Sequence, residues 1–251
     1  MVVNAAAAGF DGVGLRLDLD PPGRSEVASL ARRLDRERLG LVDVEVIRIG
    51  NEDREGSSRL ISAAGQLGAR TVLVVSDHPD RASTIDRYHE LCELAAAAGC
   101  RATLEFMRFT SVPDLATALD VVEAVDHPAS GVLVDALHLA RSGWTLAGLA
   151  AVGRGVITHV QICDAPAGPP PRGLDGLAHE ARHSRLLPGT GILELTDLLR
   201  AIPEVPVSVE VQNDHARGRF APHDLARRAA AAGRDVLAAA DQPRSTGYDA
   251  Q

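Results

Sequence analysis

Aromatic residues and cysteines are scarce in this chain, and each shortage excludes a class of protein. Phe, Trp and Tyr make up 3% of the 251 residues, so the core has to be built from Ala, Val, Leu and Ile. The three cysteines, Cys92, Cys100 and Cys163, form no CxxC pair and no even-numbered disulfide framework. Such cysteine usage is typical of a reducing compartment, and we expect a cytoplasmic protein.

Targeting and basic segments are missing as well. The first ten residues contain no Lys or Arg, Asp11 follows at once, and no stretch approaches the roughly 20 apolar residues that cross a bilayer. The net charge is -8 and no basic run offsets it, which argues against a nucleic acid or an anionic membrane as partner. We therefore expect a small-molecule substrate, and a homodimer is possible.

Neither a Gly-rich dinucleotide turn nor a GxxxxGK[ST] loop is present. Short β-branched runs instead alternate with Ala/Leu/Arg-rich segments of helical spacing, which predicts parallel strands joined by helical crossovers. The predicted strands are residues 13–17, 42–47, 71–75, 102–106, 131–135, 157–162 and 207–211. The predicted helices are residues 2–9, 25–34, 57–67, 82–98, 112–125, 145–152, 194–201 and 222–240.

A polar side chain stands at the end of strand after strand, and this pattern decides between two architectures. The end residues are Glu105, Asp135, Gln161 and Glu210. An open doubly wound sheet also fits the alternation, but side chains from many successive strand ends converge only when the sheet closes. The sequence therefore predicts one TIM-type (β/α)8 barrel over residues 1–240.

Seven strands rather than eight are predicted, because the chain opens on a helix and the first strand is missing or truncated. Residues 163–188 form one long connection, which is a candidate active-site loop. Residues 241–251 are polar and contain Gly or Pro, so we expect a disordered tail.

The strand-end acids indicate a bound cation. Three carboxylates gathered at one barrel mouth repel one another unless a positive ion lies between them. With the amide oxygen of Gln161 they form an oxygen-rich set that suits Mn²⁺ or Mg²⁺, with Zn²⁺ or Co²⁺ as alternatives. His159 lies two residues before Gln161, on the same strand face, and is either a further ligand or a buried interior residue.

Asp135 begins the segment DALHLARSG, in which His138 and Arg141 follow at three-residue spacing. A neutral histidine beside a divalent cation can move a proton near pH 7. Arg141 either holds a carboxylate or phosphate of the substrate or pairs with an acid on the surface.

Five segments together resemble a known family. They are LEF at Glu105, DALH at Asp135, HVQICD at His159, RLLPGTG at Arg185 and SVEV at Glu210. The succession is similar to the xylose isomerase-like TIM-barrel superfamily, which includes sugar phosphate isomerases and epimerases, hydroxypyruvate isomerase, ketose 3-epimerases, and inosose and 3-dehydroshikimate dehydratases. The resemblance covers nearly the whole chain, from Gly9 to Glu210.

The resemblance implies roles for individual residues. Glu105, Asp135, Gln161 and Glu210 would hold the metal, Glu105 and Glu210 would also be the acid/base pair, and His138 would contact substrate oxygens. The set expected to bind substrate is Arg141, His159, Arg108 and Arg185. Thr190 stands in the PGTG turn where relatives often have an acid, so that acid's role is absent here.

The implied activity is isomerisation or epimerisation of a sugar, sugar phosphate or related hydroxy-ketone by proton abstraction beside a metal-bound carbonyl. The alternative is a dehydratase of a cyclic keto-polyol such as 3-dehydroshikimate or a keto-inositol. A nuclease acting at abasic sites conflicts with the net charge of -8. A non-catalytic barrel is a further alternative, since a fold alone does not give a function.

Overall fold

The computed structural model describes residues 1–17, 23–51 and 53–242. Seven parallel strands form one sheet in sequence order, each paired with the next along the chain. Helices connect the strands on the outside, as the alternation of segments predicts. The strands are β1 (Gly12–Arg16), β2 (Gly40–Ile49), β3 (Thr71–Ser76), β4 (Arg101–Glu105), β5 (Val132–Asp135), β6 (Ile157–Ile162) and β7 (Val207–Val209).

Eleven helices are found in the described part of the chain. Eight coincide with predicted ones, and the remaining three, α6, α8 and α10, follow β5, β6 and β7. The helices are α1 (Val2–Ala8), α2 (Arg24–Glu37), α3 (Arg54–Gln66), α4 (Arg81–Ala97), α5 (Leu115–Val125), α6 (Ala136–Ser142), α7 (Leu146–Ala150), α8 (Gly173–His183), α9 (Leu195–Ala201), α10 (Asp214–Arg219) and α11 (Pro222–Asp241).

The sheet is buried between the helices and a filled interior. Every residue of β3 is buried, because its outer face packs under helices and its inner face fills the barrel. Val, Leu, Ile and Ala dominate the core, and Tyr88 and Phe106 are its largest fully buried side chains. The low aromatic content thus leaves the core dense in aliphatic side chains, as the composition predicts.

The barrel closes through helices where a strand pair is missing. Within the described residues, β7 and β1 form no ladder with each other. Helix α1 packs against α11 at this position, and the Arg234 guanidinium of α11 lies 3.3–3.4 Å from the carbonyl oxygens of Ala8 and Gly9. The seven-strand TIM-type barrel that opens on a helix is therefore confirmed.

The predicted long loop is partly helical. Residues 163–188 contain α8 and a short antiparallel bridge between Asp164 and Leu186. The predicted disordered tail was to start at residue 241, but Asp241 is the last residue of α11; residues 243–251, the rest of that prediction, lie outside the described residues. In the described part of the chain, no helix has the length and apolar character to cross a membrane.

Candidate active site

A pocket of about 330 Å³ opens at the carboxyl ends of the strands. Its walls contain five of the predicted residues together with residues from β1, β2, α8 and the chain around α10. The predicted residues that line it are Glu105, His138, Gln161, Arg185 and Glu210. The convergence expected of the strand-end residues is therefore observed for Glu105, Gln161 and Glu210, whereas Asp135 is fully buried and does not line the pocket.

Parallel strand order brings the acids to the same end of the barrel. Glu105 is the last residue of β4, and Asp135 ends β5, where it is paired with Gln161 of β6. Glu210 follows β7 directly, and its backbone N–H donates to the carbonyl oxygen of Ile162 at 3.1 Å. Parallel strands end at the same edge of a sheet, so these residues meet at the mouth.

Asp135, fully buried at the end of β5, has two structural roles. One carboxylate oxygen accepts the backbone N–H of His138 at 2.9 Å and caps the first turn of α6. Its other oxygen accepts a hydrogen bond from Arg185 at 2.5 Å. Candidate ligand atoms of Glu105, Asp135 and His138 all lie within 4.8 Å of one another.

Arg185 lies among the acids as an internal cation. Its guanidinium bonds to Asp135, approaches Glu210 at 3.3 Å, and lies 3.4 Å from Nε2 of His138. The Nε–H donates to the carbonyl oxygen of Ala181 at 2.7 Å, which orients the guanidinium group. A buried guanidinium with this many acceptors is held in one geometry.

The turn after Arg185 is fixed by Asp164. Its carboxylate accepts the backbone N–H groups of Ala165, Gly191 and Leu193 at 2.8–2.9 Å. A Cβ on Gly191 would lie 2.1 Å from the carbonyl oxygen of Ala165, so only glycine fits there. Gly189 has a φ of 76°, so both glycines are explained by the turn.

Burial sets the protonation of the site. Burial and the negative charges of Glu210 and Asp135 hold the pKa of Glu105 well above its ordinary value. Burial alone would raise the pKa of Asp135, but the charge of Arg185 outweighs it, and that pKa lies below the ordinary value. Burial lowers the pKa of His138 to about 4, so its imidazole is neutral at pH 7.

The donor set fits a divalent cation. Among the residues that the structure describes, the buried side chains of Glu105 and Gln161 have no hydrogen-bond partner, and both line the pocket. Arg185 supplies one positive charge beside three carboxyl groups, so negative charge remains in excess. The candidate ligand atoms that lie within 4.8 Å of one another belong to Glu105, Asp135 and His138, and Glu210 is not in that group. Gln161 and Glu210, at the ends of the next two strands, would have to supply the remaining oxygen atoms of a site for a hard cation.

Three other predicted residues lie elsewhere. Arg141 forms a bidentate ion pair with Glu180 at 2.7–2.8 Å, which ties α6 to α8. The pairing agrees with the ion-pair alternative, but the acid is buried and not on the surface. His159 is buried inside the barrel with Nε2 at 3.1 Å from a carboxylate oxygen of Asp43, as its interior alternative predicts. Arg108 is exposed, and it does not line the pocket. This arrangement gives no support to substrate contact by these three residues.

Glu45 and Arg16 are pocket residues that the sequence interpretation missed. Glu45 of β2 lines the pocket and lies 3.2 Å from the Arg16 guanidinium at the end of β1. Burial and the charges of Glu210 and Asp43 raise the pKa of Glu45 to about 7. The signal was present in the chain, because Glu45 stands in the same VEV context as Glu210.

A wider depression of about 680 Å³ lies away from these acids. It is lined by residues that follow β2 and β3 and by α4, including Gly50, Arg54 and His78. None of the strand-end carboxylates reaches it, so the smaller pocket is the candidate active site.

Fold and site together define the class: a parallel TIM-type barrel with an acid-rich pocket at the carboxyl ends of its strands. The chain belongs to the xylose isomerase-like TIM barrel family, whose profile matches residues 2–237. The resemblance drawn from the five motifs is thereby confirmed. No curated protein sequence matches the chain significantly.

Solved structures share the fold at low sequence identity. One is a xylose isomerase-like TIM barrel/4-hydroxyphenylpyruvate dioxygenase fusion protein (TM-score 0.79, 24% identity), and the match covers 95% of this chain but 40% of the fusion protein. A second is the IolI protein with a bound zinc atom (TM-score 0.80, 18% identity), with 94% of this chain and 91% of that one covered. A third is D-psicose 3-epimerase from Clostridium cellulolyticum H10 with D-tagatose (TM-score 0.74, 15% identity), with 96% and 93% covered.

Proposed function

We propose that this protein is a divalent-metal-dependent isomerase or epimerase of a sugar, sugar phosphate or related hydroxy-ketone. The observation that carries the proposal is the meeting of Glu105, Gln161 and Glu210 in one pocket, with Asp135 buried beside Gln161 on the neighbouring strand. Two carboxyl groups on different sides of a small pocket can remove and return a proton. Membership of the xylose isomerase-like family adds support.

The cation would be held by Glu105, Asp135, Gln161 and Glu210, with Mn²⁺ or Mg²⁺ as the first candidates and Zn²⁺ or Co²⁺ as alternatives. It would polarise the carbonyl of the substrate and so make the neighbouring C–H more acidic. The zinc atom in the IolI structure is consistent with a cation in this fold.

The chain's own residues would carry the proton. Burial raises the pKa of Glu210 above its ordinary value, and the Arg185 guanidinium at 3.3 Å and the Gln212 amide, which donates to it at 2.8 Å, oppose that rise. We assign Glu210 as the base that removes the proton from the carbon beside the carbonyl. Glu105, buried and without a donor, would return a proton to the opposite face or to the neighbouring carbon.

His138 and Arg185 would orient the substrate. The neutral His138 ring lies edge-on to Phe109, with ring centres 5.6 Å apart, and can donate to or accept from a hydroxyl group. Arg185 would donate to a substrate oxygen while it stays bonded to Asp135. Substrate positioned this way reacts within a single complex, which lowers the entropic part of the barrier.

Proton NMR in D₂O with added Mg²⁺ or Mn²⁺ tests the proposal on a panel of ketoses, hydroxypyruvate and dehydroshikimate. We expect deuterium to enter a carbon beside the carbonyl, with a product isomeric to the substrate. New vinylic or aromatic signals would instead support the dehydratase alternative, because water would have been lost. A metal-loaded protein that exchanges no proton with any member of the panel would contradict the isomerase proposal for these substrates.

Glu210→Gln is the variant that tests the base. We expect kcat to fall about 10²–10⁴-fold, since general base catalysis contributes a rate enhancement in that range. Glu123→Gln, an exposed acid on α5, is the matched control and should keep full activity. Full activity in Glu210→Gln would overturn the assignment.

A further inference from the structure

The pocket is rich in arginine although the chain is acidic. Five arginines line the pocket in a protein of net charge -8, and the sequence contains no lysine. They are Arg16, Arg48, Arg182, Arg185 and Arg217. Glu45, Glu105 and Glu210 line the same pocket, so only an arginine without an acidic partner adds positive charge that attracts anions.

Three of the five arginines are neutralised by acids within the protein. Arg16 lies 3.2 Å from Glu45, Arg48 lies 2.7 Å from Asp77, and Arg185 bonds to Asp135. In these ion pairs a carboxylate of the protein balances the charge of each of the three guanidinium groups.

The other two arginines have no such partner. Within residues 1–17, 23–51 and 53–242, neither Arg182 nor Arg217 has a carboxylate within ion-pair distance. Arg182 belongs to α8, where its guanidinium lies 5.4 Å from the centre of the Phe109 ring, so the group stays near the opening. Arg217 belongs to α10, and its exposed side chain lines the same opening.

The carboxylates at the bottom of the pocket do not balance the charges of Arg182 and Arg217. Under the proposed function, a divalent cation together with Arg185 balances the carboxylates of Glu105, Asp135 and Glu210. Arg16 balances Glu45. With the metal bound, Arg182 and Arg217 therefore leave the mouth positive, and an entering anion would meet two unpaired guanidinium groups.

We propose that Arg182 and Arg217 bind an anionic group of the substrate, a carboxylate or a phosphate, and that the enzyme selects anionic over neutral polyhydroxy carbonyl compounds. This inference rests on the proposed function for the position of the reacting end. The planar guanidinium fork matches both anions through paired N–H donors, and charge-assisted bonds of this kind are the strong ones. Substrate would thus lie with its carbonyl on the floor and its anion between α8 and α10.

Calorimetric binding to the Mn²⁺-loaded protein tests the inference with two matched pairs of probes. D-Fructose 6-phosphate against D-fructose isolates the phosphate, and D-gluconate against sorbitol isolates the carboxylate. The variants are Arg182→Gln, Arg217→Gln and the double variant. Arg32→Gln on the exposed face of α2 is the control with the same change of charge.

We expect each single variant to weaken binding of the anionic probe about ten-fold, and the double variant about 100-fold, with the neutral probe unchanged. Arg32→Gln should match the wild type. The anion is identified by the probe pair whose anionic member binds more tightly than its neutral member only when the two arginines are present. Equal binding of anionic probes by wild type and double variant would overturn the inference, and so would an equal loss for the neutral probes.

Failure of the two proposals can be told apart. Arginine-dependent binding of an anionic probe without any deuterium exchange would sink the proposed function and leave the anion site standing. Deuterium exchange on a neutral sugar that is unaffected by the double variant would sink the anion site and leave the proposed function standing. Metal content by mass spectrometry must stay the same in all variants, because none of the four candidate ligands is changed.

Discussion

Glu45 is a pocket residue whose buried carboxyl group lowers the stability of the folded protein at neutral pH. Its carboxyl group is largely buried beside Glu210 and Asp43, and the Arg16 ion pair only partly compensates. The pKa of Glu45 is raised from an ordinary value of 4.5 to about 7. The folded protein therefore holds a proton on Glu45 between those pH values, where the unfolded chain has lost it.

The sign of the pH effect follows from this difference. Below pH 4.5 both states are protonated and Glu45 costs nothing. As the pH rises from about 4.5 through 7, the unfolded state binds fewer protons than the folded state, and stability falls. Above pH 7 the loss is complete, because both states are then ionised.

Glu45→Gln should remove this loss. In metal-free protein kept with EDTA, we expect the variant to match the wild type at pH 4.5 and to be more stable by roughly 2–3 kcal/mol at pH 8. Urea unfolding at the two pH values measures the difference, with Glu123→Gln as control. A constant difference between variant and wild type across this range would show that Glu45 does not titrate near 7.

Single residues were predictable from the sequence where the strand pattern exposed them. Glu105, Asp135, Gln161 and Glu210 each interrupt an apolar strand at its end, and the structure places all four at the same end of the barrel. Arg141 was ambiguous because its partner, Glu180, lies 39 residues further along in a helix that the composition of residues 163–188 did not reveal.

At the scale of elements, the Arg141–Glu180 ion pair docks α8 onto α6. Both side chains are nearly buried, and the two N–H···O bonds are 2.7 and 2.8 Å long. Helix α8 carries Arg182 and supplies the Ala181 carbonyl that orients Arg185. The pair therefore supports one wall of the pocket from behind.

Arg141→Met should destabilise the protein by about 3 kcal/mol, because Glu180 is left buried without a partner. Arg141→Met combined with Glu180→Leu should recover most of that loss, since neither charge remains. The free energy of unfolding of the two single variants and the double variant gives the coupling directly.

Activity of the same double variant separates support from substrate binding. We expect KM and kcat within about two-fold of the wild type if Arg141 acts through α8 alone. A raised KM for an acidic substrate in a fully folded double variant would return Arg141 to the substrate-binding residues.

At the scale of the whole molecule, sequence periodicity predicted the order of strands and long helices but not the short helices. All seven strands were found because β-branched runs recur between helical segments, but three short helices after β5, β6 and β7 were missed. These helices, α6, α8 and α10, have at most eleven residues and depend on local caps or tertiary contacts, such as Asn213 accepting the N–H of Ala216 at 2.7 Å. Propensity is weakest for elements of this length.

Metal binding should couple the acid cluster to the stability of the whole barrel. Four strands and the turns behind them converge on the candidate ligands, and an ion that binds only the folded state stabilises it by mass action. At a free Mn²⁺ concentration 100-fold above Kd this amounts to about 2.7 kcal/mol, or a rise in Tm of roughly 5–10 °C for a chain of this size. A thermal scan with and without Mn²⁺ at pH 8 measures it.

Asp135→Asn is the discriminating variant for this metal effect, because asparagine still caps α6 but has lost the charge that the cation requires. Asp114→Asn is the matched control, since Asp114 caps α5 in the same way, through the backbone N–H of Thr117, away from the pocket. The rise in Tm with Mn²⁺ should persist in Asp114→Asn and disappear in Asp135→Asn. An equal rise in Tm in both variants would show that the ion binds somewhere other than the strand ends. That result would contradict the proposed metal-dependent mechanism.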